Sequence, residues 1–129
     1  MKLRIICKSK IHHAVVTGAD LNYIGSIGID RTLMEMTGIV EGEQVALWNL
    51  NNGDRIETYA IPMPAGSGQI LVNGAAARHF APGDRIIIAA FCLTDETVVP
   101  QMIAVDAENR FARQLLPSTT PQELAGSLK

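Results

Sequence analysis

The fold of this chain is indicated most clearly by residues 44–61, which read QVALWNLNNGDRIETYAI. Two runs rich in apolar, aromatic and β-branched residues, 44–50 and 55–61, flank the tetrad Asn51-Asn52-Gly53-Asp54. Asn-Gly is the strongest short-range signal of a β-hairpin, because both residues tolerate the positive φ angles that a tight turn between two strands requires. The stretch therefore predicts an antiparallel hairpin with its turn at 51–54.

Other segments on both sides of this hairpin have the composition of strands. They are residues 3–17, with a break around 8–10, and residues 27–29, 69–72, 85–93 and 102–105. The run 85–93 is almost wholly apolar, which is typical of a strand that is buried on both faces. Residues 17–21 are predicted to form a turn or a single helical turn.

The helix signals are few and short. Asp30 is a good N-cap for a helix over 31–36, and Gly38 is suited to its end. Residues 75–79 are predicted to form one helical turn. Many short strands, with few helices and no regular alternation of strand and helix, predict a mainly β fold that closes into a compact barrel.

The length of the chain suits a single domain. Its 129 residues are enough to bury a hydrophobic core and too few for two ordinary domains, so one domain is predicted over 1–129. The residues after about 115 offer little apolar surface to bury, and they are predicted to form a flexible tail.

Charge and hydropathy argue against several classes of partner. The net charge is −2 and the basic residues are scattered, so the chain lacks the positive surface that binds nucleic acid or anionic membranes. No run approaches the ~20 apolar residues of a membrane helix, and charges interrupt residues 1–8, where a secretory signal would lie. A cytoplasmic protein with neither nucleic-acid nor membrane partners is predicted.

The common signatures of metal and hydrolase sites do not occur in the sequence. His12 and His13 are adjacent and would point to opposite faces of a strand, and the third histidine, His79, is far away. The chain contains no zinc-ligand spacing, no glycine-rich nucleotide loop and no Gly-x-Ser-x-Gly elbow. We therefore expect no metal site and no hydrolase triad.

The pair Gly25-Ser26 has an unusual sequence context. Most Gly-Ser pairs are simple turns, but this pair lies between two strand-like segments and is followed at once by apolar residues. In a buried, rigid turn the Ser26 hydroxyl could attack the Gly25 carbonyl and convert the amide into an ester. A glycine before the attacking serine removes a side chain that would obstruct the approach.

Several motifs, in order and at matching spacing, resemble the pyruvoyl-dependent aspartate decarboxylase family. The likeness extends from about residue 1 to about residue 111. The matching stretches are Lys10-Ile11-His12, 16–30 (VTGADLNYIGSIGID), Trp48-Asn49, 52–61 (NGDRIETYAI) and 72–78 (VNGAAAR). The combination is far more specific than a lone Gly-Ser pair.

The resemblance implies a double-psi β-barrel that assembles as a homotetramer and cuts its own backbone between Gly25 and Ser26. The ester would undergo elimination to dehydroalanine, which hydrolyses to a pyruvoyl group heading the larger, 104-residue product of the 129-residue chain. This covalent cofactor would form an imine with L-aspartate and accept the electrons released with CO2, as pyridoxal phosphate does elsewhere. The product would be β-alanine for pantothenate biosynthesis, and neither a metal nor pyridoxal phosphate would be required.

The same resemblance implies roles for individual residues. Ser26 would be the precursor of the cofactor, and Tyr59 would donate a proton to the carbanion. Thr58 would bond the Gly25 carbonyl during cleavage, while His12 would assist near the cleavage turn. The residues implied to bind substrate are Lys10 and Arg55, which would hold its carboxylates, together with Thr58, Asn73, Gly74, Ala75 and Ala76.

Two other function classes remain open at this point. A barrel that does not process itself would act only as a binding or interaction module, and an amino-terminal-serine amidohydrolase would keep a free serine amine after cleavage. The sequence also leaves open whether the bond has been cut and whether a helper protein is required for maturation.

Overall fold

A computed structural model describes residues 1–116 and 118–127 of the chain. Within these ranges lie nine strands, two α-helices and the 3₁₀ helix Gly74–Arg78. The strands are β1 (Arg4–Val15), β2 (Gly18–Asp20), β3 (Ser26–Asp30), β4 (Gln44–Asn49), β5 (Arg55–Met63), β6 (Ile70–Asn73), β7 (Arg85–Thr94), β8 (Gln101–Val105) and β9 (Phe111–Gln114). The α-helices are α1 (Arg31–Thr37) and α2 (Pro121–Ser127).

The nine strands form one sheet in the order β2-β6-β3-β5-β4-β7-β1-β8-β9. Most neighbours are antiparallel, whereas the pairs β1–β8, β2–β6 and β3–β5 are parallel. Strands β4 and β5 form the predicted hairpin in a regular register, from Gln44 opposite Tyr59 to Trp48 opposite Arg55. The hairpin is thus confirmed, and its second strand pairs on its other edge with β3, the strand that begins at Ser26.

The sheet wraps around one hydrophobic core. Side chains from distant parts of the sheet meet in it, including Val72 of β6 and Ile103 of β8. Each large aliphatic side chain buried in this way stabilises the fold by about 1.5–3 kcal/mol. The arrangement confirms the predicted mainly β fold with short helices and fits a β-barrel.

Asn109 fastens together segments that are distant in sequence. The residue is buried and has a φ of 58°, a conformation that Asn tolerates better than most residues. Its Nδ2 donates to the carbonyls of Val15 at 2.9 Å and Gly68 at 2.8 Å, and its Oδ1 accepts from the Val15 N–H at 2.7 Å. The turn between β8 and β9 therefore holds the end of β1 against the loop before β6.

The predicted break around residues 8–10 is an irregularity within one continuous strand. The pairing of β1 with β7 shifts register between Cys7 and Ser9, and Lys8 leaves the sheet there. The Lys8 Nζ donates to the Gly38 carbonyl at 2.8 Å and lies 3.0 Å from the Glu43 carboxylate. A second register shift falls between residues 11 and 14.

The prediction that 85–93 is buried on both faces is wrong at its carboxyl end. Phe91 is 39% exposed and Leu93 is 63% exposed. Strand β4 pairs with β7 only from Ile86 to Ala89, so beyond Ala89 the strand has β1 as its sole described neighbour and its alternate side chains, Phe91 and Leu93, extend past the core. The apolar composition of this end marks an exposed surface.

Two other segments differ from their sequence predictions. The predicted turn over 17–21 contains β2, which pairs in parallel with Leu71–Asn73 of β6 through Gly18, Ala19 and Asp20. Strand β9 was not predicted, and it pairs with β8. Both strands are short and are defined by pairing with residues distant in sequence, so local composition alone does not reveal them.

Asp30 connects β3, α1 and the loop 64–68, which leads to β6. It caps α1 as predicted, with Oδ1 accepting from the Thr32 N–H at 2.9 Å, and Gly38 ends the helix in the left-handed conformation. The Asp30 side chain, 1% exposed, also accepts from the Gly66 N–H at 2.9 Å and the Gly68 N–H at 2.8 Å. One carboxylate therefore fixes the start of a helix and the shape of a loop.

The predicted flexible tail over 115–129 includes helix α2, where residues of the tail are described. The Glu123 N–H donates to Thr120 Oγ1 at 3.2 Å, while the Thr120 N–H donates to Glu123 Oε1 at 3.4 Å, which is the reciprocal pattern of a capping box. Residues 117, 128 and 129 lie outside the described residues. Flexibility of the tail, like the single-domain organisation, stays a prediction.

Asp30 generates a testable dependence of stability on pH. Burial raises the pKa of this carboxyl, but its three backbone hydrogen bonds and the charge of Arg110 outweigh burial and lower the pKa below its ordinary value. A carboxylate with a lowered folded-state pKa contributes stability above its unfolded-state pKa, and that contribution is lost as the pH falls through the folded-state pKa.

We predict that Asp30→Asn lowers the free energy of unfolding by about 1–3 kcal/mol at neutral pH, because an amide presents only one accepting oxygen. The difference from the parent chain should shrink as the pH falls below about 4. Urea unfolding at fixed protein concentration, in a Ser26→Ala background that keeps one covalent form, measures it. The exposed Asp95→Asn is the control. A difference that stays constant across this pH range contradicts the assignment.

Candidate active site

Ser26 is the first residue of β3 and is only 2% exposed. It lies opposite Asn73 of β6, whose Nδ2 donates to Ser26 Oγ at 3.3 Å. Ile27 and Ile29 face the core, so alternation along the strand turns Ser26 toward the outer face of the sheet. The serine hydroxyl is therefore buried and hydrogen-bonded, but not within the hydrophobic core.

The strap, residues 21–25, joins β2 to Ser26 and is exposed. An added Cβ at Gly25 would meet open space, and Gly25 is not among the residues with positive φ. The described residues beyond its chain neighbours therefore do not crowd Gly25, and the expectation that a side chain there would obstruct attack by Ser26 stays a prediction. The tight position is Gly74, where an added Cβ would lie 2.7 Å from Gly25 Cα.

Tyr59 and Thr58 lie on β5, beside β3. The parallel register pairs Ile27 with Ala60, so its continuation by one residue sets Tyr59 beside Ser26. Tyr59 is 40% exposed and shares the outer face with Ser26. Thr58 alternates to the other face, and among the described hydrogen bonds none joins it to Gly25; its contact with the Gly25 carbonyl stays a prediction.

Arg55 and Lys10 are not brought to Ser26 within one chain. Arg55 precedes Tyr59 by about 13 Å along an extended strand, and its guanidinium stacks on Trp48, 4.4 Å from the ring centroid. Strands β5, β4 and β7 separate β3 from β1, so Lys10 lies about 19 Å from Ser26 measured across the sheet. Both cations lie on strands whose alternate residues face outward.

Two cavities flank these residues. One of about 440 Å³ has walls from β2, the strap, β5 and β6, and its polar lining consists of Asp20, Tyr23 and Asn73. The other, of about 400 Å³, is lined in part by Trp48 and Arg55. Each is large enough for a small molecule. The first cavity adjoins the Ser26 partner Asn73, and the second contains the predicted carboxylate-binding arginine.

Ala75 and Ala76 follow Gly74 in the 3₁₀ helix. Ala76 packs against the core, whereas Ala75 is exposed. The end of this helix is held from the hairpin, because Asn49 Nδ2 and Asn52 Nδ2 each donate to the His79 carbonyl at 3.0 Å. The predicted substrate-binding backbone therefore begins beside Ser26 and is anchored at the 51–54 turn.

His12 and His13 stack with their ring centroids 4.2 Å apart, which β1 allows because His13 has a φ of 64°. Burial, the neighbouring His13 and Lys10 lower the pKa of His12 to about 4. Burial, Arg85 and Lys10 also lower the pKa of His13. His12 Nδ1 is buried and lacks a hydrogen-bond partner among the described residues. His12 is therefore neutral near pH 7.

The sequence did not predict the contribution of Trp48 or of Gly74 to site geometry. The position of Trp48 could have been found from the hairpin signal, because a turn at 51–54 sets Trp48 opposite Arg55. The Gly74 contact depends on pairing between β3 and β6, for which the sequence has no local signal.

Neither a metal-binding cluster nor a membrane-spanning helix is found among residues 1–116 and 118–127. No group of three or more His, Cys, Asp or Glu side chains is arranged to hold a metal ion. No helix in the same ranges is long and apolar enough to cross a membrane.

Comparison with known proteins places the site in a family context. The family model described as aspartate decarboxylase matches residues 1–112. The aspartate 1-decarboxylase of Moorella thermoacetica is 55% identical over 111 residues, covering 83% of this chain and 87% of that protein. Those of Caldicellulosiruptor saccharolyticus and Myxococcus xanthus are 50% and 51% identical over 112 and 111 residues, covering 84% and 83% of this chain and 88% and 85% of those proteins.

The stacked histidines allow a direct titration test. We predict that His12 titrates near pH 4 in the folded chain, well below the ordinary value of 6.5. Because the unfolded chain then binds the proton first, this group lowers stability as the pH falls from about 6.5 toward about 4.

NMR titration of the ring resonances measures the pKa directly. His13→Gln should raise the pKa of His12, because it removes the second-largest cause of the shift. A His12 midpoint at or above 6.5, or one that does not respond to His13→Gln, would contradict the prediction.

Proposed function

Because the chain belongs to the aspartate decarboxylase family, we propose that it cuts its own backbone between Gly25 and Ser26 and then converts L-aspartate to β-alanine and CO2. The observation that carries the cleavage proposal is Ser26 itself, a buried hydroxyl held by Asn73 and directly preceded by an exposed strap. The β-alanine serves pantothenate biosynthesis. The cytoplasmic location stays a prediction from the sequence.

Cleavage begins at the Ser26 hydroxyl. Its Oγ bonds to the Gly25 carbonyl carbon, the Gly25–Ser26 amide breaks, and the hydroxyl proton ends on the Ser26 nitrogen, which gives an ester. Elimination then removes the proton from the Ser26 Cα and breaks the Cβ–Oγ bond, so that a Cα=Cβ double bond forms. The products are dehydroalanine and the Gly25 carboxylate, which accounts for that proton in its acid form. Water replaces the nitrogen of the dehydroalanine, and ammonia and a pyruvoyl terminus result.

The surroundings of Ser26 fit a prosthetic group made at that position. A group formed from a side chain that is 2% exposed is shielded from water, which strengthens polar interactions around it. The Asn73 amide, 3.3 Å from Ser26 Oγ, is a donor and suits a carbonyl oxygen.

The pyruvoyl carbonyl, when formed, supplies the electron-accepting group for loss of the α-carboxylate as CO2. Tyr59 then gives its phenolic proton to the carbon that CO2 has left. The parallel register supports this role, since it continues to Tyr59 beside Ser26 on the same face. Asn73 and the backbone of residues 74–76 orient the substrate through polar contacts. The family resemblance adds Thr58 to this set, and because its side chain alternates to the other face of β5 it would make its contact through its backbone or from that face.

Lys10 and Arg55 hold the substrate carboxylates in this proposal, which requires more than one copy of the chain. Neither cation is near Ser26 within one copy. Exposed apolar residues such as Phe91 and Leu93 lie on the same part of the sheet as the Arg55 cavity and would be covered by association. A homotetramer with sites shared between subunits accounts for both features. The proposal holds whether or not a helper protein is required for maturation.

Mass spectrometry of the purified chain tests cleavage. We expect fragments of 25 and 104 residues from the 129-residue chain, the larger lighter by one ammonia than a serine-ended fragment and labelled by a carbonyl-reactive hydrazine. Ser26→Ala should remain intact and unlabelled, because no hydroxyl attacks the carbonyl. The matched control Ser67→Ala, an exposed loop serine, should be cleaved normally.

The outcomes separate the competing functions. An intact wild-type chain, both alone and after incubation with extract of the producing cells, rejects self-processing and leaves a binding module. A larger fragment with a free serine amine and no hydrazine label indicates an amino-terminal-serine amidohydrolase instead.

Tyr59→Phe tests the proton donor. The variant should be cleaved and labelled by hydrazine like the wild type, but its kcat should fall at least about a hundredfold with little change in KM, because only proton transfer is removed. Steady-state assays of CO2 release give both constants. A kcat near that of the wild type rejects Tyr59 as the donor.

A further inference from the structure

Gly74 is the point at which the strap rests on the barrel. It is buried, has a φ of +67°, and begins the 3₁₀ helix directly after Asn73. A Cβ added to Gly74 would lie 2.7 Å from Gly25 Cα, 2.9 Å from Gly25 N and 3.2 Å from the Tyr23 carbonyl oxygen. The backbone of the strap therefore occupies the space that a side chain at 74 would need.

The strap has few other attachments before Ser26. The Asn22 N–H donates to Asp20 Oδ1 at 2.9 Å and the Tyr23 N–H donates to the Asp20 carbonyl at 3.4 Å. Both bonds are local and hold only its first half. The side chains of Tyr23 and Ile24 are 56% and 78% exposed, so they pack little against the barrel. Contact with Gly74 is thus the main restraint described for the backbone just before the scissile bond.

We infer that Gly74 is a positioning residue for the cleavage step, because its missing side chain lets the Gly25 carbonyl lie within reach of Ser26 Oγ. This inference rests on the proposed function, and it gives Gly74 a task before cleavage, distinct from substrate binding by its backbone afterwards. The position of Asn73 supports it, since consecutive residues then hold the attacking hydroxyl and the backbone under attack.

A side chain at position 74 would displace the strap and not the barrel. Residue 74 follows β6, which is paired on one edge with β2 and on the other with β3. The strap has no comparable support among the described residues. Ordinary contact begins near 3.4 Å, so an atom 2.7 Å from Gly25 Cα pushes the strap away by about 0.7 Å. Misplacement of this order, about 1 Å, costs about a hundredfold in the rate of a reaction that depends on alignment.

Gly74→Ala is the first test, with Gly53→Ala as its matched control. Gly53 has a similar φ of +81°, but a Cβ there meets nothing within 4 Å, so the control carries the backbone strain without the contact. Freshly purified precursor, followed by mass spectrometry, should be cleaved about a hundredfold more slowly in Gly74→Ala and at close to the wild-type rate in Gly53→Ala. Thermal unfolding verifies that both chains fold.

Gly74→Asn and Gly53→Asn repeat the comparison with less backbone strain, because Asn tolerates positive φ better than Ala while adding the same Cβ. This pair keeps the test decisive if Gly74→Ala does not fold. Slow cleavage in Gly74→Asn alone is the expected result.

The mobility of the strap can be measured without cleavage. In a Ser26→Ala background, amide hydrogen exchange over residues 21–25 should be several-fold faster with Gly74→Ala than with Gly53→Ala. If the Gly74 variants are cleaved like their Gly53 controls, or are slow without faster exchange in the strap, the inference is overturned while the proposed function stands. If the wild type is never cut at this bond, the proposed function fails and this inference with it.

Discussion

The carboxylate of Asp30 is the constraint on which the organisation around the site depends. It ends β3 four residues after Ser26, begins α1 and accepts hydrogen bonds from the loop that leads to β6. Strand β3, which contains Ser26, is thereby linked by a single buried anion to the loop before β6, the strand that contains Asn73. A neutral or displaced side chain at position 30 would weaken the hydrogen bonds of both the loop and the start of the helix. Because β3 pairs with β6, this change would also alter the position of Ser26 relative to Asn73.

Ser26, Tyr59 and Arg55 lie on the outer face of the barrel instead of in its interior, whereas the Thr58 side chain alternates to the other face. The described core consists mainly of aliphatic side chains and is apolar, so it is a poor environment for a polar reaction. Ser26 is nevertheless buried, because neighbouring strands and the segment before it cover it. An outer site built from separate patches can join the Ser26 region of one copy to the Arg55 region of another.

Local signals in the sequence predicted the parts of the fold that local chemistry determines. Asn52-Gly53 identified the hairpin, and Asp30 with Gly38 identified the first helix, because turns and caps depend on residues close together in the chain. Strand β2, the exposed end of β7 and the contact between Gly74 and Gly25 depend on pairing across long separations. The candidate residues came from resemblance to a family, and only the structure separated those near Ser26 from Lys10 and Arg55.

Strand β1 lies in the interior of the sheet order, hydrogen-bonded to β7 along most of its length and to β8 through residues 9–12. A cut after residue 25 transfers β1 and β2 to a separate polypeptide. Before the cut, refolding is a first-order process of one chain; afterwards it requires two molecules to meet and depends on their concentration. Folding that is complete before the bond breaks therefore avoids the bimolecular step that the proposed cut would impose on refolding.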